Sequence, residues 1–271
     1  MKRLAIILSG VAAASLLSAC ASGPKAPMQT DMTYTIQLDG FSVTWLKDNS
    51  GERTMPAAMF GATQEIIDEI GEAIPASTSA FLVQDKDNNY LFDAGMGGND
   101  SQLLAALDTL GLKPADIGYV FITHLHGDHI GGLTNAGSAV FPSAEVYLAR
   151  TEHDAFANGP QASGVEGLAS AYGERLHLFD YADELPGGFK AMHIPGHTPG
   201  HTAYGRANLL LVGDIMHGVA LQTVHPELNA RFDQDSTVSV ASRRMILDLA
   251  PDFILAGSHF PEPGFICPAE Q

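Results

Sequence analysis

The stretch THLHGDHIGG, residues 123–132, has the densest set of chemically active side chains and directly follows a run of β-forming residues. Its candidate metal ligands are His124, His126, Asp128 and His129. Imidazole and carboxylate groups are ligands that zinc and similar ions prefer, and one tight turn after a strand can bring all four together. Gly127, Gly131 and Gly132 let the backbone fold closely around them. The stretch therefore predicts a metal site.

Three further candidate ligands each follow a predicted strand elsewhere in the chain. His197 lies in IPGHTPGHT, Asp214 in LLLVGDIMH and His259 in FILAGSHF. Together with residues 123–132, they give four strand ends that each supply ligands. This pattern predicts a site built along one edge of a sheet.

Hydrophobic periodicity indicates the elements that must position these ligands. Alternation or short runs of apolar residues predict strands at 33–38, 41–46, 79–83, 90–92, 119–123, 145–148, 191–194, 209–212 and 253–256. Helical spacing predicts helices at 101–110, 151–156, 165–172 and 238–249. Strands that alternate with helices, with hairpins at the front, predict an α/β fold of two mixed sheets covered by outer helices.

Residues 55–74, MPAAMFGATQEIIDEIGEAI, allow two interpretations. One is a helix on the core, with an apolar face formed by Ile66, Ile67, Ile70 and Ile74. The other is a lid, because the flexible methionines Met55 and Met59 beside Phe60 suit a groove that accepts varied apolar ligands.

The first twenty residues, MKRLAIILSGVAAASLLSAC, have the pattern of an export signal, with a basic start, an apolar stretch and a small-residue site ending in cysteine. The ending LSAC resembles the bacterial lipoprotein signal, which implies that residues 1–19 are removed and that Cys20 carries lipid. We predict an exported, periplasmic protein anchored to the membrane through Cys20, with an ordinary cleaved signal or an uncleaved anchor as alternatives. Residues 20–32 predict a flexible tether, and residues 33–271 predict one domain.

The formal net charge of −17 bears on the partners of the protein. So acidic a surface repels phosphate backbones and anionic lipid headgroups. We therefore expect no nucleic-acid partner.

The motifs together resemble the metallo-β-lactamase fold superfamily over nearly all of the mature chain. The resemblance implies an αββα sandwich, in which two mixed sheets pack face to face with helices on their outer faces. It implies two divalent metal ions. Zinc is the expected metal, with manganese, iron or cobalt as alternatives. The implied ligands are His124, His126 and His197 for the first ion, Asp128, His129 and His259 for the second, and Asp214 between the two. Asp93, in FDAGMGG, would support the site without binding metal.

Two such ions imply hydrolysis. Cations roughly 3.5–4 Å apart can share a hydroxide that attacks the substrate, while one of them polarises a carbonyl or phosphoryl oxygen. Asp128 and Asp214 are the predicted catalytic residues, because they would hold the metals that do this chemistry.

Departures from the patterns of several branches narrow the function. The β-lactamases of this superfamily have cysteine or serine in place of Asp214, which argues against antibiotic hydrolysis. Glyoxalase II enzymes share all seven ligands but add a C-terminal domain, and only 12 residues follow His259 here (271 minus 259). The di-iron oxidoreductases usually have glutamate at the position of His126. The nuclease branches bind polyanions that this acidic surface would repel.

The runs THLHGDHIGGL, PGHTPGHTAY, VGDIMHGVALQ and GSHFPEPG are similar to the methyl parathion hydrolase group and its lactonase relatives. Acyl-homoserine lactonases commonly have a tyrosine shortly after the bridging aspartate, where this chain has Ile215, Met216 and His217. We therefore expect a broad hydrolase of small apolar esters, lactones or phosphotriesters.

Other functions and roles stay open at this point. The alternatives are an acyl-homoserine lactonase, an iron-dependent oxidoreductase, and a non-enzymatic metal-binding lipoprotein. A homodimer is also left open. His201 and His217 lie near predicted ligands, and either a supporting role in the pocket or plain packing suits them.

Overall fold

The computed structural model describes residues 28–160 and 162–268. The predicted signal peptide at 1–19, Cys20 and the first part of the predicted tether lie outside the described residues. Strand β1 (Met28–Gln29) pairs antiparallel with β2 (Thr33–Leu38). Thr30 closes the turn between them, since its Oγ1 accepts hydrogen bonds from the backbone N–H groups of Met32 and Thr33. The first sheet therefore begins inside the segment predicted as a tether.

The remaining strands are β3 (Phe41–Lys47), β4 (Arg53–Pro56), β5 (Ala73–Ala76), β6 (Ser79–Gln84), β7 (Asn89–Phe92), β8 (Tyr119–Ile122), β9 (Thr134–Asn135), β10 (Ser138–Ala139), β11 (Glu145–Ala149), β12 (Leu176–Phe179), β13 (Lys190–His193), β14 (Thr202–Arg206), β15 (Leu209–Gly213), β16 (Ile254–Gly257) and β17 (Phe265–Ile266). The α-helices are α1 (Gln64–Ile70), α2 (Leu103–Thr109), α3 (Gly127–Ile130), α4 (Arg150–Ala157), α5 (Ala162–Tyr172), α6 (Val219–Gln222) and α7 (Ser236–Leu249). Each strand predicted from the sequence is present within one residue at either end. Among the described residues, none of these helices is long and apolar enough to cross a membrane.

Both large sheets are mixed. The first has the order β1-β2-β3-β6-β7-β8-β11-β12, with β7, β8, β11 and β12 parallel to one another. The second has the order β13-β14-β15-β16-β17, and only β15 and β16 are parallel. Parallel neighbours end at the same edge of a sheet, so residues that follow β7 and β8, or β15 and β16, are brought close together.

The two sheets pack face to face through an aromatic core. Phe92 of β7 and Phe121 of β8 lie on the first sheet, with ring centroids 5.1 Å apart. Tyr204 of β14 contacts both rings from the second sheet, at 5.5 and 5.2 Å, and Phe189 packs edge-on against Phe92 at 4.9 Å. Four such rings bury a large apolar area between the sheets.

Helices cover the outer faces of this sandwich. Leu103 and Leu107 of α2 and Leu168 of α5 are buried with the outward side chains of the first sheet. Ile246 of α7 is buried with Leu210 and other outward side chains of the second sheet. The predicted α/β sandwich of two mixed sheets with outer helices is confirmed.

Residues 55–74 are only partly helical. Strand β4 pairs antiparallel with β5, and α1 lies in the connection between them. Ile74 belongs to β5, so the prediction that it shares a helical face with three other isoleucines is wrong; the helix ends at Ile70 because Gly71 follows with a φ of 107°. Met55, Phe60 and Ile74 are buried together against α6. The segment is a packed part of the wall beside the site.

Candidate metal centre

The loop after β8 carries the first candidate ligands. It lies beside the end of β7, and the closeness of the two turns explains two of its three glycines. A Cβ at Gly131 would lie 2.0 Å from the carbonyl oxygen of Met96, and one at Gly132 would lie 2.0 Å from that of Ala94. Gly127 has open space around it, so the expectation that it allows close folding is wrong for this glycine.

Three imidazoles converge in the first group of ligands. His124 Nε2 lies 3.0 Å from His126 Nδ1 and 3.1 Å from His197 Nε2, and the last two nitrogens are 2.9 Å apart. His124 and His197 are buried, and His126 is partly exposed. His197 follows β13, so the second sheet completes a site that begins on the first.

The second group consists of Asp128, His129 and His259, whose donor atoms lie within 4.8 Å of one another. His259 Nε2 lies 3.3 Å from Asp128 Oδ2, and His129 Nε2 lies 3.8 Å from Asp128 Oδ1. His259 follows β16, next to the end of β15. An imidazole and carboxylate set of this kind suits zinc, manganese, iron or cobalt.

Asp214, at the end of β15, lies between the two groups. Its Oδ1 is 3.1 Å from His129 Nε2, and its Oδ2 is 3.1 Å from His259 Nε2 and 3.3 Å from His197 Nε2. The side chain is 2% exposed. One carboxylate thus reaches both groups, and its role as a bridge between two metals stays a prediction.

The second ring nitrogen of four imidazoles is held from outside the centre. The acceptors are Thr123 Oγ1 for His124, Asp93 Oδ2 for His129, Asp233 Oδ1 for His197 and the Ser77 carbonyl for His259, at 2.7–3.1 Å. Each outer N–H donates to its acceptor, so each Nε2 directs a lone pair, or a proton that a metal would displace, at the centre. His129 Nε2 and Asp214 Oδ1 are buried without a hydrogen bond to any described residue. These orphaned atoms fit a cation between them.

The charges of the site point the same way. Burial lowers the pKa of His124 well below its ordinary value. Burial acts in that direction on His259 also, but the Asp214 and Asp128 carboxylates outweigh it and raise the pKa of His259 to about 9. Burial would raise the pKa of Asp214, but His129 and the other imidazoles hold it well below its usual range. The carboxylates thus favour a positive charge at His259, whereas burial favours the neutral form of His124, which is the form that binds a metal ion.

Asp93 has the supporting place predicted for it. It follows β7 with a φ of 59°, a left-handed conformation that aspartate tolerates and most residues avoid. Its carboxylate accepts hydrogen bonds from the Thr123 backbone N–H at 2.8 Å and from the Thr123 hydroxyl at 2.7 Å, as well as from His129. This network fixes the orientation of the His129 ring.

Asp233 is a supporting residue that the sequence did not predict. It orients His197, and it is held by the Ser239 hydroxyl at 2.9 Å and by the buried Arg243 guanidinium at 3.2 Å. The run FDQDS carries no strand or motif before this aspartate. Its only sequence signal is the Asp235 helix cap two residues later, which accepts a hydrogen bond from Val238 N–H at the start of α7.

His201 and His217 both contact Asp214. His201 is fully buried, and its Nε2 accepts a hydrogen bond from the Asp214 backbone N–H at 3.1 Å. His217 Nε2 lies 3.1 Å from Asp214 Oδ2, and its ring stacks on that of His259 with centroids 4.8 Å apart. Of the two roles left open for each, the geometry favours support of Asp214 over plain packing.

A cavity of about 360 Å³ opens onto the centre. Besides candidate ligands, its wall includes Arg53, Met55, His217 and Phe232. Phe60 does not line this cavity. It lies behind the wall, 2% exposed, where its ring and Ile74 face Gly218.

The fold and the site together place this chain in a class of αββα sandwiches. In this chain the candidate metal ligands lie where strands of both packed sheets end. The sequence profile of the metallo-beta-lactamase superfamily matches residues 73–259. The chain belongs to the metallo-β-lactamase superfamily, which confirms the resemblance predicted from its motifs.

Three similar proteins give detail. AidC, a dizinc quorum-quenching lactonase solved with its product N-hexanoyl-L-homoserine, is 26% identical, with a TM-score of 0.77 over 86% of this chain and 92% of AidC. AbOPH, a hydrolase in the β-lactamase superfamily, is 27% identical, with a TM-score of 0.75 over 88% of this chain and 93% of AbOPH. The hydroxyacylglutathione hydrolase of Aeromonas salmonicida (strain A449) is 29% identical over 145 residues, 53% of this chain and 49% of that enzyme. This chain thus spans about half the length of that curated relative.

Proposed function

We propose that this protein is a hydrolase that uses two divalent metal ions to cleave small apolar lactones, esters or phosphotriesters. His124, His126 and His197 would hold the first ion, Asp128, His129 and His259 the second, and Asp214 would contact both. The proposal rests on one observation: His129 Nε2 and Asp214 Oδ1 lie 3.1 Å apart, are buried and make no hydrogen bond to a described residue. A cavity opens onto the centre that they belong to. Buried polar atoms without a hydrogen bond are rare in proteins. A metal ion bound to both atoms would explain why these two have none.

The chain's own residues would organise the reaction. When bound, the two ions would activate water and polarise the oxygen of the scissile group. Asp93, Asp233 and the Ser77 carbonyl hold the imidazoles in the orientation that directs Nε2 at the centre. The backbone of Asp214 is held in turn by His201. Such prior orientation means that few groups have to move when a substrate arrives.

The cavity wall supports an apolar substrate. Met55 and Phe232 are its large apolar side chains, and Phe232 is 39% exposed. Arg53 adds a guanidinium that donates to Thr78 Oγ1 and has further N–H groups to offer to a carbonyl, carboxylate or phosphoryl oxygen. A volume of about 360 Å³ is in the range of small-molecule sites.

An acyl-homoserine lactone is the second candidate substrate. The similarity to AidC over most of both chains favours it. Such a molecule joins an apolar acyl chain to a lactone and an amide carbonyl. Met55 and Phe232 suit the first part, and the metal centre and Arg53 suit the other two.

The test combines metal analysis with a substrate panel. The purified protein, loaded with zinc or manganese, should hold two ions per chain and hydrolyse a lactone, an aryl ester or a phosphotriester, and His124→Ala should lose one ion. A panel should include an acyl-homoserine lactone and a glutathione thioester, and oxygen uptake should be followed with iron-loaded protein. Protein that holds no metal, or that consumes oxygen without hydrolysing any member of the panel, would contradict the proposal.

We also propose that the protein is exported to the periplasm and anchored by lipid on Cys20. This rests on the sequence pattern of residues 1–20 alone. A lipid anchor would keep the metal centre close to a membrane, where apolar substrates concentrate.

A further inference from the structure

Glu152 is a buried carboxylate that the proposed chemistry does not use. It lies in the first turn of α4 and is fully buried. No motif in the sequence marks it. Buried glutamates are rare unless they are paired, so its partners indicate why it is there.

The two oxygens of Glu152 accept hydrogen bonds from two different loops. Oε1 accepts the backbone N–H of Leu125 at 2.9 Å, and Oε2 accepts the backbone N–H of Gly200 at 2.8 Å. Leu125 stands between His124 and His126, and Gly200 stands three residues after His197. One side chain therefore joins the two loops that carry the first group of candidate ligands.

The contact leaves almost no freedom at Gly200. A Cβ there would lie 2.2 Å from the Glu152 backbone nitrogen and 2.5 Å from its Cα. The Gly200 carbonyl is also held, since the hydroxyls of Tyr181 and Thr202 donate to it at 3.0 and 2.8 Å. The loop after His197 is thus packed against α4, and both the N–H and the carbonyl group of Gly200 are held by hydrogen bonds.

We propose that Glu152 is a positioning residue that sets the distance between the His124–His126 loop and the His197 loop, and so sets the affinity of the first metal. The proposal rests on the proposed function, because it assumes that these three imidazoles bind an ion. Among the described residues, Asp128, His129 and His259 make no hydrogen bond or ion pair with Glu152, so we expect the second group to depend on this link less than the first. The effect of Glu152 should therefore be confined to one metal.

Glu152→Gln is the most direct variant. An ionised carboxylate accepts at both oxygens, whereas the glutamine amide would place an NH₂ group against one of the two backbone N–H donors. The size of the side chain is kept, and one of its two bonds is lost. Loss of such a supporting partner costs about 10–100-fold in metal affinity.

The measurement separates the two metals by using single-site backgrounds. Metal-depleted full chain carrying His259→Ala keeps the complete first group, and chain carrying His126→Ala keeps the complete second group. Each is titrated with Co²⁺ against a chelator, and binding is followed through the visible absorption of the metal. Glu152→Gln should weaken Co²⁺ binding about 10–100-fold in the first background and leave it unchanged in the second.

Asp154→Asn is the matched control, because Asp154 lies on the same helix and is exposed. It should change neither affinity. If Glu152→Gln weakens both backgrounds equally, or neither, Glu152 only supports the fold and the inference is wrong. If the Glu152→Gln variant does not fold, Glu152→Asp is measured in the same way, because it keeps the negative charge and shortens the side chain. Failure of the parent chain to bind Co²⁺ would contradict the proposed function instead.

Discussion

His129 Nε2 and Asp214 Oδ1 face each other at 3.1 Å in the centre of the site, and neither makes a hydrogen bond to a described residue. Since His129 Nδ1–H donates to Asp93, a lone pair on Nε2 would repel the carboxylate, and only a cation between the two atoms makes the arrangement favourable. Burial opposes a charge on His129, but Asp214, Asp93 and Asp128 outweigh it and raise the pKa of His129 well above its ordinary value. The same carboxylates would favour a divalent ion bound to His129 Nε2 and Asp214 Oδ1.

Asp214→Asn should therefore weaken binding of the second metal and lower turnover on every substrate class alike. The amide keeps the shape of the side chain but removes the negative charge that offsets the repulsion between two dications. Loss of a residue that only supports a metal ligand weakens metal binding by about 10–100-fold. The loss of metal affinity in Asp214→Asn should be at least as large. Metal content after dialysis and kcat on a lactone, an ester and a phosphotriester are the measurements. A variant that keeps both ions and full activity would reduce Asp214 to a structural residue.

Asp93→Asn should lower metal affinity without loss of the fold. The variant weakens the hydrogen bond that orients His129, so the second group should bind Co²⁺ about 10–100-fold less tightly. Asp233→Asn is the comparison, because it weakens the support of His197 in the first group instead. It should also lower the melting temperature, since it leaves the buried Arg243 without its charged partner. The interpretation fails if both variants lose the same metal.

Met55→Ala and Phe60→Ala should separate substrate recognition from packing. Met55 lines the cavity, so its truncation should change KM by amounts that differ with the size of the substrate, while metal content stays the same. Phe60 is buried behind the wall, and its truncation should destabilise the protein by about 3–5 kcal/mol. Steady-state kinetics across the panel and urea unfolding of both variants test this. Equal effects of Phe60→Ala and Met55→Ala on every substrate would contradict the division.

Cys20→Ser should release the protein from the membrane fraction without altering the purified catalytic domain, because anchoring would come from acyl chains on that residue. Fractionation of cells and mass spectrometry of the N-terminal peptide are the measurements. A variant that stays in the membrane would indicate an uncleaved anchor. A Cys20 peptide found without lipid, or joined to Cys267 by a disulfide, would contradict the lipid anchor.

Much of this structure could be predicted from the sequence, because the strands with the clearest apolar patterns are the ones that end beside the candidate metal centre. The candidate ligands His124, Asp214 and His259 each follow a strand with a clear apolar pattern, and parallel pairing then brings strand ends together. Strand β14 was not predicted, since TAYGR has little apolar pattern and is held mainly by its neighbours β13 and β15. Asp233 and Glu152 were missed for a related reason. Their roles depend on contacts distant in sequence, which no local pattern records.

Asp85→Asn should make the free energy of unfolding less sensitive to acid. Asp85 lies in the turn between β6 and β7, and its Oδ2 accepts a hydrogen bond at 2.9 Å from Arg206, at the end of β14 in the second sheet. The Arg206 guanidinium also lies over the Phe41 ring, 4.6 Å from its centroid. Burial would raise the pKa of Asp85, but the N–H groups of Asp87 and Asn88 and the Arg206 guanidinium outweigh it and lower this pKa below 3.8.

A carboxyl group with a lowered folded-state pKa stabilises the protein fully above its unfolded pKa, and this contribution is lost as pH falls through the folded pKa. At pH 7 the variant should therefore be less stable than the parent by about 1–2 kcal/mol, and the difference should shrink below about pH 4. Urea unfolding of metal-depleted protein between pH 7 and pH 3 measures this without interference from metal release. Asp87→Asn, an exposed change in the same turn, is the control and should alter stability little at any pH. If the difference between Asp85→Asn and the parent stays constant across this range, the ion pair between the two sheets does not contribute to stability through its charge.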